Sequence, residues 1–179
     1  MPPVIGWKCR KGRNFKYNQL DVEAIVIALR LVRLIDTHSD ALAARLLAKV
    51  QYCPLLPDYD KVPFEELKHR VRETYQDLSN WLLGKPAHDI TISYREIGAR
   101  RAAQHVPLSQ VIWAIALTKE NLWDFLDQEL VLDRPLEIFG ELEILKLVDQ
   151  FFQRAQFYAS IGYEQSQAAP STQKEVACR

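Results

Sequence analysis

From Asp21 onwards, apolar residues return every three or four positions, which is the repeat of a helix face. Val22, Ile25, Val26, Leu29, Val32 and Ile35 predict a first helix that opens near Asp21, a residue type suited to an N-cap. The polar run Asp36-Thr37-His38-Ser39-Asp40 predicts a wobble, after which Leu42, Leu46, Leu47 and Val50 resume the stripe. Pro54 and Pro57 cannot sit inside a continuous helix, so Cys53 to Val62 reads as a loop. A second helix opens at Pro63 and shows Phe64, Leu67, Val71, Tyr75, Leu78 and Leu82 on one face. Gly84-Lys85-Pro86 ends it with a glycine stop followed by proline.

A third helix is predicted from about Asp89 to Gln104, carrying Ile90, Tyr94, Ile97 and Ala102. His105-Val106-Pro107 breaks it, and a fourth helix starts at the proline. Leu108, Ile112, Ile115, Leu122 and Leu126 form its stripe, widened by Val111, Trp113, Leu117, Trp123 and Phe125. So wide an apolar surface predicts the central, most buried helix. The last helix should run from about Pro135 to Tyr163 with two adjoining seams. One seam is Leu142, Leu145, Val148, Phe152 and Ala159; the other is Ile144, Phe151, Ala155 and Tyr158. Two seams predict two neighbours, one of which fits a second copy of the chain. No segment alternates with a period of two, so strands are not expected. The expected fold is all-α, an antiparallel bundle or globin-like packing of about five to six helices.

Length changes this picture little. A chain of 179 residues fits one domain with a core held by apolar packing. The expected division is a basic arm over 1–20, a helical domain over 21–165 and a flexible tail over 166–179. The arm carries Lys8, Arg10, Lys11, Arg13 and Lys16 and no acid. It reads as a solvated terminus rather than an arm for nucleic acid or anionic lipid. The formal net charge is +0, which removes a global nucleic-acid footprint. The longest apolar run, Val111 to Leu117, is far short of the roughly 20 residues that span a bilayer. Cys9, Cys53 and Cys178 are few and scattered, with no Cys-x-x-Cys. A reducing, cytoplasmic setting is expected, without a disulfide framework.

Candidate chemistry is sparse. His38, His69, His88 and His105 never pair at i, i+4, and neither a glycine-rich phosphate loop nor a Gly-x-Ser-x-Gly elbow occurs. Cys53 with a histidine, as nucleophile and base, is a pairing that any chain with both residues offers. His105 as a haem ligand competes with a structural role in a helix break, which fits its position better. No catalytic residue, metal site or cofactor is therefore expected. Lys119 and Glu120 interrupt the apolar fourth helix, and Asp149 and Arg154 the fifth. They read either as a polar element in a pocket or interface, or as a solvated stripe paired at surface strength; the second reading is favoured. Trp81, Tyr94, Trp113, Trp123, Phe151 and Tyr158 are candidates to wall a pocket, although aromatics at helical spacing are more often core.

The run GARRAAQHVPLSQVIWAIALTKENLWDFL, Gly98 to Leu126, resembles the RsbRD N-terminal family. So do ETYQDLSNWLLGK (Glu73 to Lys85), YREIGARRA (Tyr94 to Ala102) and LVDQFFQRAQFYASIGYE (Leu147 to Glu164). The resemblance covers roughly His38 to Gln165. It implies a bacterial helical sensory domain of RsbT co-antagonist proteins, which senses or relays an input for an output domain that engages a switch kinase. It brings no active site. Arg101, Pro107, Trp113, Lys119, Glu120, Trp123 and Asp149 match the family pattern as signature candidates. Trp81, Tyr94, Phe152 and Tyr158 join them as candidate pocket or interface residues. His105 departs from the pattern, standing where glycine is frequent and where a left-handed cap would suit glycine better. Only residues 165–179 follow Glu164, so the sequence reads as a standalone member or one domain of a longer protein. The resulting expectation is a non-enzymatic sensor or adaptor, homodimeric, with a kinase or sigma-factor regulator as partner. The runner-up is a carrier or sensor of an apolar ligand or haem. Membrane and nucleic acid are not expected partners.

Overall fold

A computed structural model describes residues 22–84, 90–129 and 137–168. They form five α-helices: α1 Val22–Gln51, α2 Phe64–Leu82, α3 Ile90–Ala103, α4 Leu108–Glu129 and α5 Glu137–Ala168. No strand occurs among the described residues, and the fold is all-α as the periodicity requires. The expected arm over 1–20, the expected start of the last helix at Pro135 and most of the tail lie outside the described residues.

The polar run in α1 bends the helix without ending it. His38 leaves helical geometry at φ −110°, ψ 15°, and its ring rests 5.3 Å from that of Phe125 in α4. The acids on either side of the bend reach across to α2. Ser79 Oγ donates to Asp36 Oδ1 at 3.0 Å, and Arg72 Nη2 donates to Asp40 Oδ1 at 2.6 Å. The polar residues that interrupt the stripe therefore fasten the kink to its neighbour.

The proline-rich stretch after α1 holds one turn of 3-10 helix, Pro57–Lys61. The fixed φ of Pro57 suits its first position. The successive i→i+3 bonds Leu56 N–H to Cys53, Tyr59 N–H to Leu56 and Val62 N–H to Tyr59 carry the chain round. Helix α2 then starts after Pro63, whose carbonyl accepts from Leu67 N–H at 3.0 Å. It stops at Gly84, whose φ of 61° is open to glycine and strained for other residues.

The α3–α4 corner contains the same left-handed turn with the wrong residue. His105 sits at φ 57°. Its N–H donates to Ala102 O, and Val106 N–H donates to Arg101 O, both at 3.0 Å. That pair of bonds closes the end of α3, while fully buried Val106 pins the turn from inside. An L-residue with a Cβ pays about 1–2 kcal/mol for this conformation. His105→Gly is therefore expected to stabilise the domain by about 1 kcal/mol, raising Tm by a few degrees in a thermal melt.

The hub of the bundle is α5, not α4. Helix α5 packs against each of the other four helices. Its Val148, Phe151, Phe152, Ala155 and Ala159 are essentially fully buried. Burying Phe151 and Phe152 contributes roughly 2–3 kcal/mol each. Helix α4, expected to be the most enclosed, keeps a solvent face at Glu120, Asp124, Asp127 and Gln128. Small residues account for the difference, because they let α3 come down onto α5 until backbones touch. A Cβ on Gly98 would lie 1.9 Å from the carbonyl oxygen of Ala159, and one on Gly162 would lie 2.0 Å from that of Arg95. The helix also continues to Ala168, beyond the expected end at Tyr163. Gln165, Gln167 and Ala168 favour helix by propensity without adding to the apolar period.

Candidate functional site

The most polar buried locus joins three elements around Arg101. This side chain is only 3% exposed although it carries a fixed charge. Its Nη1 donates to Glu66 Oε1 in α2 at 2.5 Å and to Gln104 Oε1, just past the end of α3, at 2.6 Å. Gln104 Nε2 closes the ring by donating to the second Glu66 oxygen, Oε2, at 2.9 Å. The guanidinium also lies 5.8 Å from the centre of the Tyr59 ring. Partial burial pushes the Glu66 carboxyl up. The hydrogen bonds from Arg101 and Gln104 and the charges of Arg101 and Arg100 outweigh that and leave it below its ordinary value. Burial pushes the Tyr59 phenol up to about 12, with Arg101 opposing.

A second clamp lies on the same side. Asp58 N–H donates to Gln110 Oε1 at 3.0 Å, and Gln110 Nε2 returns a bond to Asp58 Oδ2 at 2.6 Å. The 3-10 turn is thereby tied to the start of α4. A third polar junction is wholly internal. Asn121 of α4, fully buried, donates through Nδ2 to Leu42 O in α1 at 3.0 Å and to Tyr75 Oη in α2 at 2.9 Å. Its Oδ1 has no hydrogen-bond partner.

The remaining sequence candidates fall into separate places. Trp81, half-buried, donates from Nε1 to Leu147 O at 3.0 Å and lies 6.3 Å from the Phe151 ring. Arg154 caps its face at 4.9 Å. Tyr94 and Phe152 meet Phe151 edge-on at 6.0 and 5.1 Å, so these aromatics form core between α2, α3 and α5. The Tyr94 hydroxyl donates to Thr74 Oγ1 at 3.5 Å, and burial pushes its phenol upward. Trp113 and Trp123 are half-buried against the core, and the Trp113 Nε1 has no acceptor. Tyr158 is half-buried against the edge of the core, between Phe157 and Arg95.

Lys119 and Asp149 do pair, at 2.9 Å, but with side chains 31% and 45% exposed. Such a pair is worth under about 1 kcal/mol. Glu120 stands exposed beside it. The structure thus joins Trp81, Tyr94 and Phe152 through Phe151, and Lys119 with Asp149. It does not bring all the candidates into one pocket. Glu66, Gln104, Gln110 and Asn121 were not singled out by sequence. The first three lie 35 or more residues from a partner and leave no local mark. Asn121 did leave one, since it follows Lys119-Glu120 directly in the same apolar stretch.

Two shallow grooves of about 450 and 370 Å³ run between α1 and the start of α2, and share Leu47, Gln51 and Phe64. A smaller, partly open recess of about 50 Å³ is lined by residues of α1, α2, α3 and α4, Arg70 and Arg101 among them. Among the described residues no group of three or more His, Cys, Asp and Glu could hold a metal ion. No described helix is long and apolar enough to cross a membrane.

These features define an all-α helical bundle with buried polar clamps and shallow surface grooves. The chain belongs to the RsbT co-antagonist protein rsbRD N-terminal domain family, whose model matches residues 36–177. The family sets the chain in a stress-signalling context of sigma-factor regulation. No curated protein and no solved structure matches the chain.

Proposed function

We propose that this domain works by binding, as a bacterial cytoplasmic sensor or adaptor that self-associates and passes its state to a kinase or sigma-factor regulator. The carrying observation is a set of large apolar side chains left in solvent on two packed helices. They are Ile25, Val26 and Leu29 of α1 and Leu142 and Leu145 of α5, each at least 40% exposed. The same helices bury Ala28, Val32, Ile144 and Val148 on their inner faces. Of the first predicted seam of α5, Val148, Phe152 and Ala159 are therefore core, while Leu142 and Leu145 are uncovered. Apolar surface of this kind marks an interaction site. A second copy of the chain offers the same two stripes, which suits a two-fold contact. Signal would pass as a shift between two helix packings, biased by whatever binds one packing better.

Light scattering at micromolar concentration tests this reading. The wild-type chain is expected to run as a dimer. A variant carrying Leu142→Glu and Leu145→Glu is expected to run as a monomer with unchanged helical circular dichroism. A wild-type chain that stays strictly monomeric would contradict it.

A further inference from the structure

Around the partly open recess, α1 packs on α2 and on α4, and α3 packs on α4, but α2 and α3 scarcely approach each other. The α2–α3 seam is therefore its open side, and side chains alone bridge it. Arg101 and Gln104 reach Glu66, Arg70 Nη1 donates to Ser93 Oγ at 3.3 Å, and the Tyr94 hydroxyl meets Thr74 Oγ1. Behind these bridges the wall is hydrocarbon, from Leu46, Val50, Val71, Ile97 and Ile115. Both arginines that line the recess bond through Nη1. Among the described residues no hydrogen bond leaves Nε or Nη2 of either, although the Tyr59 phenol stands close to Arg101. Yet the Arg101 side chain is only 3% exposed and that of Arg70 19%. Glu73 Oε2 lies 3.0 Å from Arg70 Nη1 without accepting a hydrogen bond. Donors left without acceptors are costly when buried. A guanidinium presents them as a planar fork, which fits a carboxylate edge-on.

We propose that this recess binds a small monocarboxylate, with its carboxylate received by the free edges of Arg70 and Arg101 and its short alkyl tail laid on the hydrocarbon wall. At about 50 Å³ the space encloses roughly three to five heavy atoms, the size of a short-chain organic acid. Net charge contributes little, because Glu66, Glu73 and Asp77 balance Arg70, Arg100 and Arg101 around the seam. Recognition rests instead on hydrogen-bond geometry and burial of the tail, and millimolar affinity suits a ligand of so few atoms. A bound acid would tie α2 to α3 and favour the packing in which the seam is closed. That consequence for signalling rests on the relay reading above; binding itself does not.

Propionate is a suitable probe, with propanamide as its uncharged counterpart of the same shape. Methyl and amide spectra of the full chain titrated with propionate should show saturable shifts centred on Val71, Ile97 and Ile115. Propanamide should bind at least about tenfold more weakly, as should propionate to Arg70→Gln, since each removes a charge-assisted hydrogen bond. Arg70 is chosen because Arg101 also holds the clamp on Glu66. Ala114→Leu narrows the recess from the α4 side and should abolish the shifts; it also serves if the Arg70 variant fails to fold. Helical circular dichroism checks both variants. Shifts that are absent or non-saturable in the wild-type chain would overturn the proposal. So would equal binding of propanamide, or propionate binding that survives both substitutions. Oligomeric state measured on the same samples separates this outcome from failure of the self-association reading.

Discussion

Gly98→Ala is expected to destabilise the domain by about 3 kcal/mol or more, enough to unfold a marginal protein near body temperature. The sign is what makes the test sharp. Within an ordinary helix, alanine is favoured over glycine by about 1 kcal/mol. Here the added carbon would sit 1.9 Å from a main-chain oxygen of α5, with the Ala159 carbonyl carbon and the Tyr163 nitrogen each at 2.8 Å. Backbone cannot rotate away as a flexible side chain can, so α3 and α5 must separate. Separation would uncover the faces that join Tyr94 to Phe151 and seat Ala159. Gly162→Ala meets the Arg95 carbonyl in the same way and should behave alike. Urea denaturation followed by circular dichroism measures both. A stability equal to or above wild type would show that the two helices do not touch as described.

Arg101→Met should be the next most damaging change, at about 3 kcal/mol by the same measurement. Its size follows from leaving the Glu66 carboxylate partly buried without its main counter-charge, and Gln104 Oε1 without its donor. Glu66→Gln removes the charge from the other side, and its effect should depend on pH. The folded-state pKa of Glu66 is depressed, so its stabilisation is fully present above the unfolded-state value and is lost as pH falls through the folded one. The stability gap between the wild type and Glu66→Gln should therefore be widest near neutrality and close below about pH 4. A gap that grew on acidification would mean that the carboxyl is not held ionised by Arg101.

The sequence made the helices legible because each needs an apolar face of period 3.6, and punctuation by Pro54, Pro57, Pro63, Gly84 and Pro107 marked their ends. Even the α3–α4 cap could be read, since His105 occupies a turn that calls for glycine and the backbone there is left-handed. What the period could not reveal was rank. Helix α4 looks more apolar than α5, yet α5 became the hub because Gly98, Ala155, Ala159 and Gly162 permit close approach. Small residues carry little hydrophobic signal. The Arg101 clamp was half legible. Arg101 matched a family block, but its acceptors come from a helix 35 residues away and from an unremarkable glutamine. Lys119 and Asp149 stood out only as polar interruptions of two separate apolar stripes; that they pair across α4 and α5 is set by the packing, and their exposure explains why the pair holds so little energy.

Hydrogen exchange as a function of protein concentration tests the central claim most directly, because it locates association residue by residue. If the uncovered stripes are the contact, amides around 25–29 and 142–145 should gain protection as concentration rises through the micromolar range, while those around the Arg101 clamp stay unchanged. Exchange at both stripes that is indifferent to concentration, in a chain that remains folded, would contradict a domain that signals by joining its own copies.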